Sequence, residues 1–175
     1  MPIGIRKYRE TDAEAFQQAV LESVEHVSKW LPWCTKDYNI NDAKSWVSTA
    51  QKNWENGSDY RFLIENLESF EILGAVGINQ VVTQHQVGNL GYWVRASALN
   101  KGYCTQAAKL AIKYAFSELG FKRIEIHVLT ENKGSNAVAL KLGGTFEGTL
   151  RNKLMFNGRS MPANCYSVIL GDYEV

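Results

Sequence analysis

The sequence predicts a mixed α+β fold, with helical patterns first and strand patterns dominating the rest. Three observations carry this. The strand-like runs 60–65, 72–82 and 87–94 follow one another across short turns, as antiparallel strands do. A long helical pattern, 105–119, then separates them from the alternating run Arg123-Ile124-Glu125-Ile126-His127-Val128. Finally, Asn157-Gly158 lies between the runs 145–156 and 160–170, and Asn-Gly is a strong two-residue hairpin signal.

In chain order, Ile3, Ile5 and Tyr8 give a first strand. Thr11-Asp12-Ala13-Glu14 has the capping-box pattern, and Phe16, Val20, Val24 and Val27 recur at helical spacing behind it. Trp30-Leu31-Pro32-Trp33 interrupts, because Pro32 cannot donate to a helix ladder. A second helix runs from about Asn41 through Trp46, Val47, Ala50 and Trp54, and Asn56-Gly57 ends it. Turns fall near Glu68-Ser69 and at Gln84-His85-Gln86. The long helix turns Ala108, Ala111, Ile112, Ala115 and Leu119 inward, and Gly120 caps its end. A fourth helix covers 136–142. Residues 1–175 read as one domain without repeats or linkers.

The bulk properties exclude several classes. Net charge is +1, with 19 basic and 18 acidic residues, and no basic stripe marks a nucleic-acid partner. No apolar run approaches the ~18 residues that span a membrane, and the N-terminus lacks a signal-peptide core. Cys34, Cys104 and Cys165 are odd in number and far apart, as free thiols in a reducing cytoplasm are. His26, His85 and His127 show no metal-ligand spacing, so no metal is expected.

The richest stretch is Leu99-Asn100-Lys101-Gly102-Tyr103-Cys104-Thr105, between the apolar run Leu90-Gly91-Tyr92-Trp93-Val94 and the long helix. A strand feeding a helix through a glycine-containing turn makes an anion site. The first backbone N–H groups of the helix lack partners within it, and the helix dipole adds partial positive charge. A pyrophosphate satisfies both. Gly102 lets the backbone approach the ligand, and Lys101 adds a cation.

Downstream come Asn132, Ser135 and Asn136, then Leu142-Gly143-Gly144 and Phe146-Glu147-Gly148-Thr149-Leu150-Arg151. In this order, from about Gly74 to Val168, these motifs resemble the GCN5-related N-acetyltransferases (GNAT), and within them the RimJ/RimL branch, which acetylates ribosomal-protein N-termini. The aromatics of Trp30-Leu31-Pro32-Trp33 recur in that branch. The resemblance implies a mostly antiparallel, twisted sheet of about seven strands, splayed between the fourth and fifth, with about four flanking helices. It also implies acetyl-CoA as co-substrate. Backbone N–H groups of Asn100 to Thr105 would take its pyrophosphate, with Leu99 beside them. The edge Tyr92-Trp93-Val94 would pair with the pantetheine arm, and the Trp93 N–H would polarise the thioester. Asn132 and Asn136 join the cofactor site, and Ser135 stands near the sulfur as a general acid. Asn132 and Ser135 also read as an N-cap pair. Trp30 and Trp33 are candidates for the acceptor groove, or for core.

The chain departs from the family pattern at four positions. Leu99 replaces a usual Gln, Arg or Trp, and Cys104 a usual Gly or Ala. Asn89 stands where a carboxylate is frequent, and Pro162 where an aspartate is common. Glu147 of the Glu-Gly pair is a weak candidate base, and with His127 it is the first to test if a group of the enzyme itself takes the proton. An α-amine, with a pKa of about 7.7–8.0, is roughly a tenth neutral at pH 7, whereas a lysine near 10.4 is neutral less than ~0.1% of the time. The missing carboxylate at Asn89 therefore favours an α-amine acceptor. The expected partner is a protein or peptide N-terminus, and the protein a monomer or homodimer. The alternatives are a small amine (polyamine, amino acid or aminoglycoside) or a non-catalytic acyl-CoA-binding module.

Overall fold

The structure is a computed structural model, and it describes residues 2–173. In chain order its elements are β1 (Ile3–Arg6), α1 (Ala13–Glu22), α2 (Val24–Val27), α3 (Ile40–Asn56), β2 (Tyr60–Asn66), β3 (Ile72–Val82), β4 (Val87–Val94), α4 (Tyr103–Ser117), β5 (Arg123–Leu129), α5 (Lys133–Lys141), β6 (Thr145–Phe156) and β7 (Arg159–Ile169). Among the described residues seven strands form one sheet, ordered β1-β2-β3-β4-β5-β7-β6. Every pairing is antiparallel except β4 with β5. The expected turns at Gly57 and Asn157-Gly158 are present. Gly57 closes α3 in the left-handed region at φ 68°, and Asn157 and Gly158 both have positive φ, as a type I′ hairpin needs.

Each face of the sheet carries its own core. On one face α4 lays Ala107, Ala108, Ala111, Ile112 and Ala115 against Ile64, Val76, Ile78, Leu90, Ile124 and Ile126. Of the inward residues expected on this helix, only Leu119 lies past its end and half-buried. On the opposite face Phe16, Val20, Val47 and Ala50 from α1 and α3 pack over Leu63, Ile72, Ala75 and Trp93.

Several element boundaries differ from the sequence reading for local reasons. The first helix divides at Ser23, which makes five helices rather than four. The buried Ser23 hydroxyl donates back to the Ala19 carbonyl at 2.6 Å and accepts from the Ala96 N–H at 3.1 Å, and such back-bonding bends helices. The expected box at Thr11 and Glu14 does not cap α1. Instead the Asp12 carboxylate accepts the Arg9 N–H at 2.6 Å and both terminal nitrogens of Arg6 at 2.7 and 2.9 Å. The true capping box lies at α3, where the Asn39 side chain accepts from Asn41 and Asp42, and Asp42 accepts from the Asn39 N–H.

Candidate active site at the fork of β4 and β5

The parallel pair β4–β5 is short. It runs only through Val87↔Arg123, Gly88↔Ile124 and Asn89↔Glu125, after which β5 continues alone along β7 to Leu129↔Ala163. Asn89 sits at the crotch. Its Oδ1 accepts the His127 N–H at 3.1 Å and its Nδ2 donates to Asn79 Oδ1 at 2.9 Å. A carboxylate there lacks the donor for Asn79, so the amide has a structural use in this chain. Beyond it opens a cavity of about 490 Å³.

Register decides which β4 groups face this opening. Strand N–H and C=O groups alternate sides. The Arg95 N–H donates to Leu73 O at 2.8 Å on the β3 side, and Gln86 O accepts from the Lys122 N–H at 2.9 Å on the β5 side. Odd-numbered residues of β4 therefore turn their backbone groups to β3. The Trp93 carbonyl oxygen accordingly lies only 2.2 Å from where a Cβ on Gly74 would stand. This corrects the expectation for Trp93, whose N–H faces β3. The N–H groups of Tyr92 and Val94 face the fork.

The turn after β4 uses two left-handed residues, Asn100 at φ 60° and Gly102 at φ 76°. This brings the start of α4 to the cavity at Tyr103, two residues earlier than the periodicity predicts. The Gln106 N–H is bonded to Gly102 O, while no side chain caps the N-terminus of α4. By contrast, Asn39 caps α3 and Asn132 caps α5. The N–H groups of Tyr103, Cys104 and Thr105 thus precede the helical ladder, at the positive end of the dipole. Leu99, Asn100, Gly102, Cys104 and Thr105 line the cavity. Lys101 is exposed beside it, and the Tyr103 ring is buried in the core, leaving only its backbone for a ligand. Burial pushes the Cys104 thiol up to about 12, so it stays protonated as a packed spacer.

A chain with this splayed sheet and uncapped helix is matched over residues 3–145 by the model of the acetyltransferase (GNAT) domain. The chain belongs to the GNAT acetyltransferases. YoaA of Bacillus subtilis, an N-acetyltransferase, is 29% identical over 131 residues, covering 75% of this chain and 74% of the relative. The ribosomal-protein-serine acetyltransferase of Escherichia coli is 22% identical over 92% of this chain and 89% of its own. Among solved structures, Mycobacterium smegmatis RimJ in complex with CoA-disulfide superposes with a TM-score of 0.89 at 25% identity, covering 97% of this chain and 83% of that one.

The start of α5 forms another part of the cavity wall. Asn132 Oδ1 accepts the Ser135 N–H at 3.1 Å, while both side chains line the cavity. The Tyr92 hydroxyl crosses the fork to donate to Ser135 O at 3.0 Å and fixes that turn. Asn136, expected at the cofactor, is a structural tie instead. Its Nδ2 donates to Leu129 O and Asn132 O, and its Oδ1 accepts from Asn164 and Tyr166 at 2.8 Å each. With those groups used, Asn136 has little left for a ligand. Lys141, which the motifs did not single out, lines the same side.

The opposite wall of the fork is assembled from distant elements. His26, Val27, Trp30 and Leu31 from α2 and the loop after it face His127 of β5 and Leu154 of β6. Trp33 does not join Trp30. It stacks among Tyr38, Trp46 and Trp93, with ring centroids 5.3–6.0 Å apart, and lines a separate cavity of about 470 Å³. Glu147 is also displaced from the expected role. Arg123 grips both its oxygens, Ser167 donates to it at 2.7 Å, and these bonds hold its carboxyl near 2. Pro162 stands opposite an irregularity in β6, between Leu150↔Ala163 and Leu154↔Met161, where proline's missing N–H is tolerated. Among the described residues that line the fork, the ionisable side chains include His26, His127 and Lys141, and none is Asp or Glu.

Proposed function

We propose that this GNAT enzyme transfers the acetyl group of acetyl-CoA to the α-amine of a protein or peptide N-terminus. The observation that carries the reading is the uncapped start of α4 opening on a cavity beside unpaired β4 N–H groups. Bound there, acetyl-CoA supplies an activated acetyl group on a thioester. The N–H groups from Gly102 to Thr105 take its pyrophosphate, helped by Lys101 and Lys141. The Tyr92 and Val94 N–H groups pair with the pantetheine amides and stabilise charge on the thioester oxygen. Asn132 caps α5 with Oδ1 and offers Nδ2 to the arm. Ser135 Oγ lies on the cavity wall, from which it gives a proton to the leaving sulfur.

The acceptor wall favours a peptide over a polyamine. A polycation entering a half-buried site needs carboxylates to offset its lost hydration. The lining residues at the fork offer His26, His127, Trp30, Leu31 and Leu154 instead. Free thiols at Cys34, Cys104 and Cys165, and the absence among the described residues of a helix long and apolar enough to cross a membrane, support a cytoplasmic setting. A panel of acceptors followed by thiol release tests this. Peptides with a free α-amine should be acetylated, and their N-blocked, lysine-containing counterparts should not. Turnover of spermidine without peptides would move the acceptor to small amines. Cofactor binding without thiol release for any amine would make the protein a binding module.

A further inference from the structure

Resting on the acetyltransferase reading above, we propose that His127 is the group that takes the proton from the acceptor amine, and that Glu125 positions its ring. Strand alternation puts both side chains on one face of β5, while the neighbours that enclose them come from other strands. His127 is the third residue of β5 beyond the last-but-one rung at Ile124, and Asn89 holds its backbone N–H at 3.1 Å, pinning it inside the fork. Its side chain is 3% exposed, lines the cavity, and brings Nε2 to 3.0 Å from Glu125 Oε2. Yet neither ring nitrogen makes a well-aligned hydrogen bond. A buried polar group left so costs about 1–3 kcal/mol, and catalytic bonds that are poorly aligned in the free enzyme tighten when substrate arrives.

The charges around the ring suit a base. Arg123 and Glu125 come from β5, Lys153 from the irregular part of β6, the Cys165 thiol from β7, and His26 faces the same cavity from α2. Burial, Lys153 and Arg123 push the imidazole below its usual value, against the pull of Glu125, so the ring is neutral at pH 7. Glu125 shares its other oxygen with Arg123 Nε at 3.0 Å, which holds the carboxylate in place. The alternative base, Glu147, is spoken for by Arg123 and Ser167.

The step balances as follows. An N–H bond of the acceptor ammonium breaks, its electron pair stays on the amine nitrogen, and the proton passes to an imidazole nitrogen of His127. The amine forms the C–N bond as the C–S bond breaks, and the sulfur leaves with that electron pair. Ser135 Oγ gives its proton to the leaving sulfur and takes the second amine proton in its place, and His127 returns its own to solvent, so one proton is released per turnover.

The test is kcat against pH for the wild-type protein, His127→Gln and Glu125→Gln, with two peptides whose α-amines differ in pKa. The wild-type acid limb should sit at one pH, below about 6.5, for both peptides. His127→Gln should lose about tenfold in kcat at pH 7, keep its acetyl-CoA affinity, and show a limb that follows each peptide's own amine. Glu125→Gln should move the limb to lower pH, because the carboxylate raises the imidazole pKa. A wild-type limb that already tracks the peptide amine would overturn the proposal without any variant, and so would a His127→Gln enzyme with wild-type kcat and profile. If the wild-type protein releases no thiol with any amine, it is the acetyltransferase reading that fails, a result distinct from an active enzyme indifferent to His127.

Discussion

On the α4 face the helix presents four alanines, Ala107, Ala108, Ala111 and Ala115, to the sheet. On the α1–α3 face the sheet meets large rings, with Phe16, Trp33, Trp46 and Trp93 within 6.0 Å of one another in sequence along the cluster. The left-handed turn at Asn100 and Gly102 brings the backbone at the start of α4 to the fork itself. From the α1–α3 side, what faces the fork is side chains on α2 and its loop. Under the proposed function the cofactor side is therefore a backbone device, and the acceptor side a side-chain device. Mutations should behave differently on the two.

The largest expected effect is at the backbone device. Gly102 is at φ 76°, and a Cβ there meets nothing closer than Gln106 Nε2 at 3.9 Å. Gly102→Ala should thus fold, with the left-handed conformation costing about 1–2 kcal/mol. Gly102→Asp sets a negative charge among the N–H groups that receive the pyrophosphate, and should abolish the rise in Tm that acetyl-CoA gives by binding the folded state. Retained stabilisation of the Asp variant by acetyl-CoA would show that α4 is not the cofactor site.

This division also explains what was legible in the sequence. A glycine at a helix start, an Asn-Gly hairpin and alternating strands are local rules, so the strands and the Leu99–Thr105 turn followed from short stretches, whereas the fork came only with the family resemblance. The direction of the Trp93 N–H did not, because it depends on the register with β3 at Leu73 and on where β5 stops pairing. Asn136 looked like a ligand residue because its partners, Asn164 and Tyr166, lie on β7. His127 stood in the sequence only as a base to test beside Glu147, and alternation already put Glu125 on its face, but Asn89, Lys153 and Cys165 gather around it only after the sheet forms. Trp30 and Trp33 are three residues apart, and the chain's turn at Pro32 sends them to different cavities.

The two tryptophans give the intermediate effect and separate binding from packing on the acceptor face. Trp30→Ala should raise the acceptor KM about tenfold, leave the acetyl-CoA KM unchanged, and shift Tm little. Trp33→Ala removes a ring packed against Trp46 and Trp93, and should cost on the order of 2–3 kcal/mol in urea unfolding with an unchanged acceptor KM. If Trp33→Ala raises the acceptor KM while Trp30→Ala does not, the groove runs through the second cavity rather than the fork.

The smallest effect tests where the two faces are tied together. Arg95, just after β4, pairs with Glu22 at the end of α1 and with Glu71 at 2.6 Å, and Glu22 also accepts the Ser97 N–H at 2.8 Å. These bonds, Arg95 first, hold the Glu22 carboxyl near 2 instead of its usual 4.5. A folded-state pKa below the unfolded one gives stability that is present above about 4.5 and disappears as pH falls toward 2. The pair is partly solvated, with Glu22 31% exposed, so screening limits its worth to about 1 kcal/mol or less. Glu22→Gln should lower the urea midpoint slightly at pH 7 and by less at pH 2.5. An equal loss at both would mean that the contact acts through packing and the Ser97 bond rather than through charge. Because the tie joins α1 to the strand end and not to the α4 amides, acetyl-CoA affinity should stay within about twofold, whereas the acceptor KM, set by the α2 loop that hangs from Ser23, should be the parameter that moves.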